Sequence, residues 1–491
     1  MMKPSWQHRG MTCLLALTAG ALVAMAQAPT GAPPPAQPAY APRPVMEAPA
    51  PTLALQFPEL AGGVPRGQAS PQPIQLTLDE AIERGLRNNL ALLVGSSASE
   101  QARGARWQAL SALLPQVSAA ASEEETKINL AAFGFAFPGT SQIVGPFHVF
   151  DARGFLHQSV LDVAGIEGWR SARAQERAAQ HSYREIRDLV VLAVANQYLL
   201  TVADGGRVAA AQAQLATATQ ARQQAEDMHR AGTVSALDVV RAQVQEDRER
   251  QNLIVQQNDL AKQRLALARA IGLPEGQRFA VVDQIPYAPP PTLSPAAAVA
   301  AALATRPDYR AAQDTVKAAQ LALDGTRSRR LPSLNFDANY GTIGQAYTEN
   351  HPTFTLAGSI EVPVFVGGRI HGEALADQAR LREAEDRAAD LRAAIANQVR
   401  TALLDMNAAN SQVRVATHAR GLATQELGLA RDRFRAGVAG NLEEVEAEQE
   451  VAVAQENYIA SLYAYNAAKA RLAQALGVAE SAYRRYLQGV K

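Results

Sequence analysis

Apolar and polar positions along this chain follow two different periods. Over residues 165–231 and again over 367–436, apolar side chains recur at helical spacing; Ile186, Leu189, Val190, Ala193 and Val194 form one such stripe. Proline is absent from 147–273 and from 364–491, although the chain holds 27, so each tract is free to run as helix almost throughout. At 1.5 Å per residue the first tract predicts a helix of roughly 100 Å and the second one of roughly 105 Å. Helices that long belong to an extended bundle or tube. Gly205 and Gly206 interrupt the first tract and mark a candidate break. Each tract then reaches a glycine, Gly232 or Gly437, that supplies the left-handed residue ending a helix, with an Arg just before it to complement the helix C-terminus. Both tracts are therefore expected to fold back as helical hairpins.

Ahead of each long tract the period changes to two. In TFTLAGSIEV, residues 353–362, Phe354, Leu356, Ile360 and Val362 lie on one face, and Thr353, Thr355, Ser359 and Glu361 on the other. Leu334, Phe336, Ala338 and Tyr340 alternate in the same way against Asn335, Asp337 and Asn339. Residues 116–122 and 155–161 are weaker counterparts earlier in the chain, separated by an apolar loop at 131–137. Strands of about ten residues with one apolar and one polar face suit a membrane barrel with a wet lumen, and equally a half-buried soluble sheet. Four strands cannot close a barrel, and an open edge is not tolerated in lipid. If the sheet lies in a membrane, several chains share it.

The two halves also match each other. HRAGTVSALDVV at 229–240 lies over FRAGVAGNLEEV at 434–445, and RLALARAIG at 264–272 lies over KARLAQALG at 469–477 at the same offset. Further upstream, LTLDEAIERGLRNNLAL at 76–92 aligns with 293–309, and Leu114-Pro115 with Leu331-Pro332. An internal duplication accounts for this pattern. It divides the chain into a first repeat at 74–277, a linker at 278–292, a second repeat at 293–477 and a C-terminal tail at 478–491. The expected strand pairs lie near 115–163 and 332–364, and the hairpin ends near 230–238 and 435–443.

Charge and composition narrow the function. Lys plus Arg and Asp plus Glu are equal at 47 each, so no nucleic-acid surface is indicated. Residues 1–26 carry Lys3 and Arg9 before an apolar run ending in Ala-Met-Ala and read as a signal peptide, which removes the single cysteine, Cys13. A mature chain with no thiol suits an oxidising periplasm. Residues 27–73, rich in proline, are expected to be a disordered leader. The eight histidines are scattered without metal-ligand spacing, and neither a nucleophile elbow nor a phosphate-binding loop occurs. No enzyme activity, metal or cofactor is expected.

The order of these segments resembles the TolC-like outer membrane efflux protein family. LTLDEAIERGLRNN, with Thr77 and Glu80 spaced as a capping box, resembles the segment that opens each family repeat. Leu114-Pro115 and Leu331-Pro332 resemble the approach to its strands, and VPVFVGGR at 362–369 resembles its return to helix. The resemblance implies a mostly helical fold with a membrane β-barrel portion: four strands per chain in a 12-stranded barrel shared by a homotrimer in outer-membrane lipid. Long hairpins would form a periplasmic α-barrel. It also implies a passive exit duct of a tripartite efflux or type I secretion system, working with a periplasmic adaptor and an inner-membrane pump. The adaptor would dock at the hairpin turns Arg230, Ala231, Gly232, Arg435, Ala436 and Gly437.

In the family, acidic side chains at the hairpin ends line a closable entrance; aligned on Gly437 they fall on Glu443 and Glu446, and on Asp238 in the first hairpin. Positions i and i+3 share a helix face, so three chains would bring six carboxylates to one constriction. Two unit charges about 6 Å apart repel by roughly 0.7 kcal/mol in water and several-fold more near an effective dielectric of 20. Such a ring takes up protons, binds cations or pushes the entrance open. The chain departs from well-known members in having Phe434 in place of Tyr and Ala439 in place of Arg, while Asp238 and Arg241 offer a different polar link. Two other functions compete. A periplasmic adaptor would need a β-rich module flanking one hairpin, and a coiled-coil scaffold without a pore would leave the amphipathic strands unexplained.

Overall fold

The computed structural model describes residues 58–134, 141–283, 287–290, 293–436, 438 and 441–488. The expected signal peptide, most of the expected leader, Gly437 and Ala439 lie outside the described residues, as does 135–137 of the expected apolar loop. After a short turn at Pro58–Ala61, the elements run β1 (Ile74–Leu76), α1 (Leu78–Asn88), α2 (Leu90–Ser111), β2 (Gln116–Asn129), β3 (Ile143–Leu161), α3 (Val163–Arg230), α4 (Ala236–Ala270) and β4 (Phe279–Val281). They continue as α5 (Pro295–Thr305), α6 (Pro307–Ser328), β5 (Ser333–Ala346), β6 (Glu349–Glu361), α7 (Arg369–Arg435), α8 (Asn441–Ala475) and α9 (Ala479–Tyr483).

Two helices dominate. The 68-residue α3 and the 67-residue α7 would each span about 100 Å. Helix α3 passes through Gly205 and Gly206 without a break. Gly206 faces Ile459 of α8, where a Cβ would sit at ordinary contact distance, 3.7 Å from that side chain, and the helix runs on intact. Over one 18-residue window α3 is apolar enough to cross a membrane, yet 56% of the window is buried against its neighbours. Packing accounts for that apolarity. Val190, Val194 and Tyr198 of α3 meet Leu76, Ile82, Leu267 and Ile271 in one core; Ile395, Val399 and Met406 of α7 meet Tyr465 and Leu472 of α8 in a second.

The short elements tie the long ones together. Thr77 caps α1 in the expected capping box with Glu80. Parallel strands β1 and β4 pair, and just beyond β4 the Asp283 carboxylate accepts from the Leu78 N–H at 2.8 Å and lies 2.8 Å from the Tyr198 hydroxyl. Asn89 ends α1 and starts α2; its fully buried amide donates to Ala270 O at 3.1 Å. Arg306, 3% exposed between α5 and α6, donates likewise to Ala475 O at 3.4 Å. The expected disordered leader is packed from Pro58 onward: Leu60 is buried in the first core, and Gln277 holds Ser70 and Gln72 by hydrogen bonds. Leu60, the Gln277 amide and backbone bonds from Val64 to Asn88 O and from Arg66 to Gly272 O together hold this proline-rich segment, which has no period of its own.

The sheet is antiparallel in the order β2-β3-β5-β6. Its register places Val117, Leu156, Ala338 and Leu356 side by side on one face, next to Tyr340 and Phe354, with Leu334 and Ile360 further along. Val117, Tyr340, Phe354, Leu356 and Ile360 are all strongly exposed in the single chain. The opposite face carries Gln116, Ser118, Asp151, Arg153, His157, Asn335, Asp337, Asn339 and Thr355. The sheet's outer strands, β2 and β6, each have one free edge.

Candidate functional site at the hairpin ends

The first hairpin closes tightly. The Thr233 N–H reaches back to Met228 O at 3.0 Å and Gly232, at φ +75°, donates to His229 O. This pairing satisfies the last carbonyls of α3 and demands a residue without a Cβ penalty at Gly232. Ala231 donates to Asp227 O, and Arg230 forms an ion pair with Asp227. Ser235 then caps α4. Its hydroxyl accepts from the Asp238 N–H, and the Asp238 carboxylate accepts from the Ser235 N–H at 3.1 Å and from its hydroxyl at 2.7 Å. Asp238 is thus engaged in local hydrogen bonds, with Arg241 3.9 Å away as the ion pair expected from their spacing.

The second hairpin end is held differently. Ala436 donates to Asp432 O and Val438 to Arg433 O, closing α7, and Phe434 is buried at 4% exposure. Within the acidic run that opens α8, successive carboxylates part to opposite sides. Glu443 and Glu446 are exposed; Glu443 meets Arg433 across the hairpin at 3.1 Å, an exposed pair that solvent weakens. Glu444 and Glu448, 4% and 9% exposed, turn inward and share Arg431 of α7 at 3.1 Å each. Burial raises the Glu448 carboxyl above the usual range, opposed by the hydrogen bond from Arg431 and reinforced by Glu444 and by Glu249 of α4.

The buried clamp of the first hairpin is arranged differently. Its inward carboxylate, Glu246, is 7% exposed and is met by two guanidiniums, Arg222 and Arg250. Each of those arginines also pairs with a second acid, Arg222 with Glu226 and Arg250 with Asp247, whereas in the second hairpin two buried acids share Arg431 alone. The spacing of the acidic run placed Glu443 and Glu446 on one face but did not single out Glu444 and Glu448. The signal was present in Ala447 and Ala454, small residues seven apart that mark the buried face of α8.

Known proteins share this architecture. Residues 298–478 match the family model described as outer membrane efflux protein. Over 410 residues the chain is 25% identical to the pyoverdine export outer membrane protein OpmQ of Pseudomonas aeruginosa, covering 82% of this chain and 85% of that one. The chain is thus similar to outer membrane efflux proteins of the TolC-like type. Among solved structures, the Campylobacter jejuni CmeC outer membrane channel aligns with a TM-score of 0.72 at 17% identity, covering 86% of this chain and 92% of CmeC. The Vibrio cholerae outer membrane protein VceC aligns with a TM-score of 0.69 at 18% identity, covering 82% and 96%. At these identities the structural matches speak for the fold, which is mostly helical and of the TolC-like channel type. The relatives it matches are themselves described as outer membrane proteins or channels.

Proposed function

We propose that this chain is one of three protomers of a passive outer-membrane exit duct serving a tripartite efflux or type I secretion system. The observation that carries the reading is the sheet: four strands, one apolar face, one polar face and two unpaired edges. Lipid accepts no open edge, so β6 of one chain pairs with β2 of the next, and three copies close twelve strands. From Leu334 to Thr342 the outward-facing parity spans nine residues of β5, eight steps or about 27 Å, close to the roughly 25 Å apolar band of outer-membrane barrels. On β2, Glu123 and Glu125 take up apolar-face positions beyond that height.

The hairpins α3/α4 and α7/α8 would line the periplasmic part of the duct. The corresponding roles of Asn89 with Ala270 and Arg306 with Ala475 support an internal duplication in which each repeat locks its short helices onto the end of its own hairpin. The entrance lies at the hairpin ends. There Glu443 and Glu446 form the acidic constriction, Asp238 and Arg241 stiffen the first hairpin, and the turns around Gly232 and Gly437 receive a periplasmic adaptor linked to an inner-membrane pump. Energy comes from the pump; the duct selects by bore and charge.

Single-channel recording of the purified mature protein in a planar lipid bilayer tests the reading. Discrete cation-selective openings that divalent cations block are expected, with block weakened in Glu443→Gln/Glu446→Gln. Folded protein that stays soluble without detergent and gives no conductance would sink it.

A further inference from the structure

We infer that the polar face of the β-sheet carries a second ion filter, built on Asp337 with His157 and on Arg153 with Asp151, which sets the charge preference of the duct independently of the hairpin ends. This rests on the proposed barrel, because only closure of the sheet turns its polar face into a lumen.

The register brings these side chains together. His157 of β3 is paired with Asp337 of β5, and its Nδ1 lies 2.7 Å from the Asp337 carboxylate. Four residues away along β3, Arg153 grips Asp151 through two nitrogens and reaches Asn339 Oδ1 at 3.5 Å. Both pairs lie on the polar face, among Asn335, Asn339 and Thr355. About 14 Å of strand separates the two rows, and Asp337 stands about as far again from the helix end of β5 at Ser333. They therefore sit well inside the sheet, at two heights.

The charges do not cancel. Arg153 is the only Lys or Arg in β3, β5 and β6. The same face carries Asp151, Asp337, Glu361 and, on β2, Glu124. Arg153 is matched by Asp151, which leaves Asp337 facing an imidazole as the uncompensated carboxylate of the middle section. His157 and Asp337 are also half exposed, at 52% and 54%, so a passing ion meets both. Three copies would set three such carboxylates around one ring, and fixed charge on the wall of a narrow low-dielectric passage concentrates counter-ions.

The test is the reversal potential under a tenfold KCl gradient, which reports the cation-to-anion permeability ratio. Asp337→Asn keeps a hydrogen-bond acceptor for His157 and is expected to lower the ratio about two-fold, whereas Arg153→Gln, which leaves Asp151 unmatched, raises it about two-fold. Opposite shifts from neighbours on one face are not produced by a structural role. Asn339→Asp adds a carboxylate without removing a partner and gives the increase again, should Asp337→Asn fail to assemble. The shifts persist when Glu443→Gln/Glu446→Gln has neutralised the hairpin ends. Normal conductance with an unmoved reversal potential in all three variants overturns the filter, as does loss of the shifts in the neutralised background. Absence of conductance from the unmodified protein overturns the duct itself and the filter with it.

Discussion

Single residues at the junction of α3, α6 and α9 carry a pH response. Glu185 on α3 has one carboxylate oxygen bonded to Gln474 at 3.1 Å and the other, Oε2, buried without a partner. Burial is the main cause that pushes its carboxyl up to about 7; Asp308 and Asp188 push the same way and Arg306 opposes. Asp188, whose carboxylate accepts from the Glu480 N–H at the start of α9, rises to about 6, again mainly by burial. A carboxyl whose folded pKa lies above its unfolded value binds its proton more tightly in the folded state. Stability therefore falls as pH rises from the ordinary carboxylate range through the folded pKa. Glu185→Gln removes the penalty and keeps an acceptor for Gln474. Its melting temperature should match the unmodified protein's at about pH 4 and exceed it at about pH 8, with a flatter profile between. Equal profiles for both proteins would show that the buried carboxyl titrates normally.

At the scale of elements, the helices were the most legible part of the sequence. Proline cannot hide inside a long helix, so the proline-free tracts mark α3 and α7, and the reversal at 231–235 follows from Gly232. The strands were legible in position but not in extent. β2 runs on from Ser122 through Glu123, Glu124 and Glu125 to Asn129, and β3 begins at Ile143, twelve residues before the alternation starts at Phe155. In the proposed barrel both faces meet water beyond the membrane band, so the period of two that reveals a strand is erased there. The buried clamps were not legible either, because an Arg and two Glu on different helices carry no linear signature. Their contribution is measurable. Arg431→Gln strands Glu444 and Glu448 at a buried contact, and with Arg431 itself partly exposed the cost is about 2 kcal/mol, giving roughly 30-fold faster amide exchange in the first turns of α8. Arg433→Gln, which loses only the exposed pair to Glu443, should leave exchange unchanged. Equal protection in both variants would remove Arg431 as the brace of the second hairpin.

The whole molecule has to account for apolar surface that one chain leaves bare. On α7 one face, with Ile395, Val399, Met406 and Val413, packs inside the chain, whereas Leu404, Val415, Leu422 and Leu429 remain 69%, 70%, 53% and 67% exposed. The last three fall seven residues apart, the repeat of a helix-packing seam. Leu237, Val244, Ile254 and Leu265 line α4 in a similar exposed state. An isolated chain would gain nothing from keeping these side chains in water, while covering each one fully contributes about 1.5–3 kcal/mol. Adjacent protomers supply the cover if the helices close into a tube below the shared sheet, with α7 of one chain lying along α4 of the next. Sheet edges and helix seams then call for the same neighbour, so assembly should be cooperative. Charging the seam should break it: Val415→Glu/Leu422→Glu places two carboxylates at each of three equivalent contacts without touching the inner face of α7. Light scattering on detergent-solubilised protein should give a trimer for the unmodified chain and mostly monomer for the variant, with helical circular dichroism retained. A variant that stays trimeric would move the contact off this face of α7, and the barrel would then have to be held by its strands alone.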